Sequence, residues 1–301
     1  MKFGKLTDLR GIAFDLPADH PATQRTLQDQ PRKKPFRVYM GATGWSNKEW
    51  VGTWYPPKAK AAEYLRHYAG QFQTIELNTT HYRIPKPELV LRWRDMAGPG
   101  FKFCPKIPQE ISHRHKMTGT AARMELFAET LSLLGDSLGP SFMQLPPYFK
   151  PDSLHILENF LNELPAGFPL MIEFRHEDWF RGLAAAETGF ELLREKGVGA
   201  VITDVAGRRD VLHMHLTTPV LMLRYVGNSL HPTDFSRADD WARRIEKWKG
   251  QGLKEVYLFV HEPEMEQVPE MSIHFAKVLQ SLDAEIITPK AIETYQQGSL
   301  F

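Results

Sequence analysis

The sequence predicts a (β/α)8 barrel of the triosephosphate-isomerase type. Eight short apolar runs alternate with longer segments of helical periodicity along the chain. Some of these runs are apolar at successive positions, as at 170–172 and 221–223, which is typical of parallel strands buried on both faces. The alternating region, residues 37–283, is close to the roughly 250 residues that such a barrel needs. A doubly wound open sheet of eight strands is the competing fold.

The strands and helices of this barrel follow from two periodicities. Strands are predicted at 38–44, 74–78, 101–106, 141–145, 169–174, 199–203, 220–226 and 255–260. Helices between them are predicted where apolar residues recur three, four and seven positions apart. The clearest stripes are Leu65, Tyr68 and Phe72; Leu154, Leu157 and Leu161; Trp241, Ile245 and Trp248; and Phe275, Val278, Leu279 and Leu282. Residues 204–219 lack such a stripe, so the sixth β/α unit is predicted to be irregular.

Both ends of the chain fall outside the alternating pattern. Residues 1–36 are polar and punctuated by proline, with no sustained period, so they are predicted to be an arm lying on the main domain. The predicted domain division is therefore an arm at 1–36, a barrel at 37–283 and a tail at 284–301.

Composition narrows the classes of function. The chain has 37 Lys and Arg against 36 Asp and Glu, a net charge of +1, which argues against a dedicated binder of nucleic acid or anionic membrane. Its one cysteine, Cys104, cannot form an internal disulfide, which fits a reducing compartment. No apolar stretch resembles a signal peptide or a bilayer span. A cytoplasmic protein without a membrane partner is predicted.

The candidate site is the mouth of the barrel, because loops at the carboxyl ends of barrel strands build the site. The residues at these ends are Trp45, Glu76 and Asn78, Lys106, Gln144, Glu173 and Arg175, Asp204, Arg224, and His261. Side chains alternate along a strand, so Glu76 and Glu173 are expected to point into the mouth if Ile75 and Ile172 face the helices.

These charges allow two interpretations. In the first, the acids and bases form a ring of salt bridges that closes the top of the barrel. In the second, Lys106, Arg175 and Arg224 bind an anionic group while Glu173, with Glu76 as its partner, transfers a proton. The other mouth residues then orient the ligand: Trp45, Asn78, Gln144, Asp204 and His261.

Aromatic and histidine residues suggest two further features. Trp45, Trp50, Trp54 and Tyr55 form either a stacking platform for a sugar or base or a hydrophobic plug over the rim. Two histidine pairs, His113 with His115 and His213 with His215, could join the mouth acids Glu76, Glu173 or Asp204 in a divalent metal site. No HExxH motif or paired CxxC supports such a site, and no cofactor is predicted.

The motifs in their order resemble the YecE-like family, also called domain of unknown function 72. The matching segments are 41–45 (GATGW), 50–52 (WVG), 54–56 (WYP), 74–78 (TIELN), 101–103 (FKF), 144–147 (QLPP) and 173–175 (EFR), with Tyr82, Lys106, His113, Gly139, Pro140, Trp179 and Asp204. The resemblance covers 38–282 and implies a barrel, but no established reaction. At the eighth strand many members have Asn-Asn/Asp-Gly, whereas this chain has 259–263 (FVHEP).

Three hypotheses for function follow. The leading one is an enzyme acting on a small anionic substrate, such as a phosphorylated one, at the mouth. The second is metal-assisted hydrolysis of a phosphodiester in nucleic acid. The third is a non-catalytic barrel that binds a ligand or partner.

Overall fold

A computed structural model of the chain describes residues 4, 6–28, 35–282 and 284–292. Its strands are β1 (Arg37–Ala42), β2 (Thr74–Leu77), β3 (Lys102–Pro105), β4 (Ser141–Gln144), β5 (Leu170–Glu173), β6 (Gly199–Asp204), β7 (Val220–Val226) and β8 (Glu255–His261). Its helices are α1 (Pro21–Gln28), α2 (Tyr64–Ala69), α3 (Pro87–Ala97), α4 (Ala121–Ser132), α5 (Leu154–Asn162), α6 (Ala184–Glu195), α7 (Pro232–Gln251) and α8 (Val268–Val278). None of these helices is long and apolar enough to cross a membrane. The eight strand predictions are confirmed.

The strands form one parallel sheet that curves into a nearly closed barrel. Neighbours run in the order β3-β2-β1-β8-β7-β6-β5-β4, so β1 pairs with both β2 and β8. The seam between β3 and β4 is bridged by two backbone hydrogen bonds of 2.8 Å, from Gly139 N to Phe103 O and from Ile107 N to Phe142 O. This closure confirms the (β/α)8 fold and rules out the open sheet.

The sixth unit departs from the helix rule, as predicted. After β6 the chain makes 3-10 turns over Ala206–Val211 and then runs extended to β7. The polar, glycine-containing segment 206–210 (AGRRD) has no apolar stripe that could lie against the barrel.

An apolar layer fills the barrel interior below the mouth. It consists of Tyr39, Cys104, Phe142, Met171, Val201, Met222, Tyr257 and Phe259. Residues two positions further along a strand share the same face, so this layer fixes which strand-end residues enter the mouth. Met171 is followed on its face by Glu173, and Met222 by Arg224.

The N-terminal arm contains a helix that the sequence pattern did not predict. Helix α1 starts with Pro21 at its first turn, a position that suits proline, and buries Leu27. Thr23 Oγ1 donates a hydrogen bond of 2.7 Å to Met214 O. Asp19 makes ion pairs of 2.6 Å with both Arg244 and Lys247 on α7. The arm is thus fastened to the outside of the barrel.

Candidate functional site

A buried arginine joins two glutamates at the centre of the mouth. Arg224 Nε and Nη2 donate to the two oxygens of Glu76 at 2.8 and 3.0 Å. Arg224 Nη1 donates to Glu173 Oε2 at 2.8 Å. The relative exposure of all three residues is 2% or less. The mouth therefore contains a fixed Glu–Arg–Glu layer directly above the apolar interior.

Amides and a histidine extend this layer on both sides. Gln144 Nε2 donates to both oxygens of Glu173 at 3.0 Å. Asn78 Nδ2 donates to Glu76 Oε1 at 2.9 Å, and His261 Nε2 lies 3.0 Å from Glu76 Oε2. The structure thus brings together most of the predicted strand-end residues around one centre.

Both glutamates in this layer are held ionised. Burial alone would raise the pKa of Glu76, but Arg224 and His261 outweigh it and hold that pKa well below its ordinary value. Burial also opposes ionisation of Glu173, yet Arg224 and Arg175 lower its pKa. A carboxylate with a depressed pKa is a poor proton carrier near neutrality. The geometry therefore disfavours the predicted proton transfer by Glu173 and favours the salt-bridge interpretation for this layer.

Lys106 is a buried cation whose described hydrogen bond goes to a neutral group. It is 6% exposed, and its Nζ donates to the neutral Gln144 Oε1 at 3.0 Å. The neighbouring carboxylates are paired instead with Arg224 and His261. Burial, reinforced by the charge of Arg224, lowers the pKa of Lys106 to about 8.

Further nitrogen-bearing side chains surround Lys106. Arg175 is 8% exposed, and burial lowers its pKa to about 10. Burial and the nearby charge of Lys106 lower the pKa of His113, and they lower that of His81 to about 4. The rings of these two histidines meet edge to face at 5.4 Å. We call the two cations Lys106 and Arg175, together with the neutral rings of His81 and His113 beside them, the cationic cluster.

His81 was missed by the sequence reasoning, although a signal for it exists. It lies on the 3-10 turn Asn78–His81, directly after β2, where the loops of a barrel site begin. Its Nδ1 lies 2.8 Å from Ile107 O, an acceptor, so Nδ1 carries the proton and Nε2 is left as an acceptor.

Asp204 does not belong to the mouth, contrary to the sequence prediction. It accepts hydrogen bonds from Arg237 Nη1 at 2.9 Å and Trp241 Nε1 at 2.7 Å, both on α7, and it pairs with Arg209. Val201 belongs to the interior layer, so the alternation of β6 directs Asp204 outward. The sequence prediction used only the position of Asp204 at the end of β6 and not the alternation of side chains along that strand.

Trp45 also lies away from the Glu–Arg–Glu layer. Its ring packs edge-on against Trp93 of α3, at a centroid distance of 6.0 Å. Nearby, Trp50 and Tyr55 are fully buried, and Trp50 Nε1 donates to Met265 O at 3.0 Å. These contacts favour the hydrophobic plug over the stacking platform.

The predicted metal site at the mouth is not assembled from the suggested residues. Within the described residues, the His, Cys, Asp and Glu group with ligand atoms close enough for one ion is His20, Glu187 and His215, on the flank of the barrel. The Ala22 amide donates to His20 Nδ1 at 3.3 Å, which leaves Nε2 of the neutral ring protonated. That nitrogen lies 3.3 Å from Glu187 Oε2, so the contact suits a hydrogen bond.

Comparison with known proteins identifies the family. A family model described as "Protein of unknown function DUF72" matches residues 39–295. The UPF0759 protein YecE of Escherichia coli K12 is 31% identical over 282 residues, which cover 88% of this chain and 100% of YecE. This chain belongs to the DUF72 family. The UPF0759 protein YunF of Bacillus subtilis is 26% identical over 151 residues, covering 48% of this chain and 52% of YunF.

A solved structure agrees with this assignment at the level of fold. A DUF72 family protein from Enterococcus faecalis superposes with a TM-score of 0.68 at 18% sequence identity. The match covers 85% of this chain and 100% of that chain. The family model and the match to YecE confirm the family resemblance, and the solved structure confirms the fold.

Proposed function

We propose that this DUF72 protein binds a small anion, a phosphate or carboxylate group, at the cationic cluster. The observation that carries the proposal is Lys106, a buried ammonium group whose described hydrogen-bond partner is a neutral amide. Buried charges are costly unless paired, and a bound anion would supply the missing charge.

The charge balance of the mouth supports the same conclusion. Arg224, Lys106 and Arg175 supply three positive charges, whereas Glu76 and Glu173 supply two negative ones. Arg224 is saturated by the two glutamates, so it positions the layer and is not expected to touch the ligand. Arg175 suits a planar, two-point contact to the anion, and Lys106 supplies a point charge.

The loops after β7 and β8 are a frequent phosphate site in such barrels, but here they have few backbone amides left to bind an anion. Their amides already bind the chain's own carboxylates. Ser229 N donates to Glu262 Oε2 at 3.0 Å, while Asn228 N and His231 N donate to Asp234 Oδ2 at 2.7 and 2.9 Å. An anion is therefore expected at the opposite side of the mouth, beside β3 and β5.

If the bound anion is a substrate, Lys106 is the residue we assign to proton transfer. Its pKa of about 8 lies close to neutrality, which suits a general acid. Glu76 and Glu173 stay charged and hold the site in place. Mass spectrometry of the ligand before and after incubation distinguishes turnover from the non-catalytic alternative.

Calorimetric titration with inorganic phosphate, sugar phosphates and carboxylates tests the proposal. Lys106→Met and Arg175→Ala are each expected to weaken binding by at least about tenfold, since each removes a charge-assisted hydrogen bond. Lys277→Met, on the exposed face of α8, is the matched control and should bind as the wild type does. Equal binding by the wild type and both cluster variants would reject the proposal.

A further inference from the structure

Two strongly exposed tyrosines lie in the loops that follow β2 and β4. Tyr82 is 73% exposed and Tyr148 is 59% exposed, although both are large and partly apolar. Neither hydroxyl makes a hydrogen bond within the described part of the chain. Burial or hydrogen bonding in the protein itself therefore does not account for these two rings.

One ring contacts the cluster directly, and the other contacts a lysine of the loop that carries His113. The Tyr82 ring meets the His81 ring edge to face at 5.6 Å, and His81 meets His113 at 5.4 Å. Lys116, in the same loop as His113, places its Nζ 5.8 Å from the centre of the Tyr148 ring. Tyr82 thus borders the cluster, and Tyr148 borders the loop that carries His113.

The loop that carries His113 and Lys116 has an irregular backbone. It contains a π-helical turn, Glu110–Arg114, a type of turn that is frequent at functional sites. Lys116 and Met117 follow with positive φ angles of 48° and 64°. Beside this loop, Tyr148 follows two prolines whose fixed φ angles limit the freedom of its own loop.

We propose that the anion bound at the cationic cluster is the phosphate of a nucleotide whose base stacks on Tyr82 or Tyr148. This inference rests on the proposed function and names its ligand class. Lys106 and Arg175 would hold the phosphate, and an exposed phenol ring offers a flat apolar face to any base. Two sources share this chemistry: a free nucleotide and an unpaired strand of nucleic acid.

The test compares ligands that differ in one part. Inorganic phosphate, ribose 5-phosphate, AMP and an oligoriboadenylate are titrated into the full chain by calorimetry. AMP or the oligonucleotide is expected to bind about 5- to 150-fold more tightly than ribose 5-phosphate, the range reported by alanine substitution for one stacked base. Tighter binding of the oligonucleotide than of AMP identifies a strand, and tighter binding of AMP identifies a free nucleotide.

Matched variants separate the ring from the charge. Tyr82→Ala, Tyr148→Ala or their combination should remove the extra affinity that the base gives AMP over ribose 5-phosphate. These variants should bind inorganic phosphate as the wild type does. The corresponding phenylalanine variants should keep the gain, because they keep the ring. Leu126→Ala, an exposed apolar residue on α4, is the control.

The results that would overturn the inference differ from those that would overturn the proposed function. If phosphate binds but AMP and the oligonucleotide bind no more tightly than ribose 5-phosphate, the base is not recognised and only the inference fails. The inference also fails if both tyrosine-to-alanine variants keep the gain. If inorganic phosphate does not bind and Lys106→Met has no effect on any ligand, the proposed function fails as well.

Discussion

Replacing Arg224 by methionine is expected to lower the free energy of unfolding by about 3–5 kcal/mol, the usual loss when one partner of a buried ion pair is removed. The variant leaves Glu76 and Glu173 buried without their shared cation. Urea-induced unfolding at neutral pH, followed by circular dichroism, measures the loss.

The triple variant Glu76→Gln, Glu173→Gln and Arg224→Met is the control. It removes the three charges of the layer at once, so neither glutamate is left buried without Arg224. Lys106 and Arg175 then lose the nearby carboxylates, so stability should recover part of the loss and not all of it. A triple variant as unstable as Arg224→Met alone would contradict the view that the two unpaired glutamates cause the loss.

The loss should also depend on pH. In the wild type the pKa of both carboxyl groups lies below the ordinary 4.5, so the ion pairs stabilise the fold above about pH 4.5 and are lost as the pH falls below it. In Arg224→Met, burial favours the protonated form of both carboxyl groups. Protonation in acid therefore removes the cost of keeping two unpaired charges buried. The difference in the free energy of unfolding between the wild type and Arg224→Met should therefore become smaller as the pH falls from 7 towards 4.

Replacing Asp204 by asparagine is expected to cost about 3 kcal/mol or more, again because a buried ion pair loses one charge. Asp204 and Arg237 are both fully buried, and Asp204 also accepts the hydrogen bond from Trp241. The substitution keeps the shape of the side chain and removes its charge. Thermal and urea unfolding of the variant measure the effect.

Asp240→Asn, on α7, is the matched control for Asp204→Asn. Asp240 pairs with Arg243 at the surface, where the side chains are 38% and 69% exposed. Exposed pairs are worth only about 0–1 kcal/mol. Equal losses in the two variants would contradict the assignment of Asp204 to the contact between β6 and α7.

The barrel could be predicted from sequence because its strands and helices leave local signals. Runs such as 221–223 are apolar at every position, and stripes such as Trp241, Ile245 and Trp248 follow the helical period. Helix α1 was missed because its eight residues are mostly polar and its stability comes from contacts with distant residues such as Met214. Those contacts leave no periodic trace in the segment itself.

The site was only partly predictable. Glu76, Glu173, Arg224 and Lys106 were correctly predicted to be neighbours from their positions at the ends of strands. Alternation along short strands fixes which face of the sheet these residues share. Asp204 was misplaced because the face of a strand-end residue depends on the register of the whole strand. The pairing of Arg224 with both glutamates could not be predicted, because it depends on distances across the barrel.

Lys106 is a buried cation whose charge we expect a bound anion to neutralise, and titration of the Lys106 side chain measures this. The side-chain carbon next to Nζ can be followed by NMR in protein labelled with ¹³C-lysine, with Lys106→Met assigning the signal. A pKa of about 8 is expected in the protein alone, and a higher pKa is expected when phosphate is present, since a bound anion favours the charged form. A pKa at the ordinary 10.5 that does not respond to phosphate, AMP or carboxylates would contradict it.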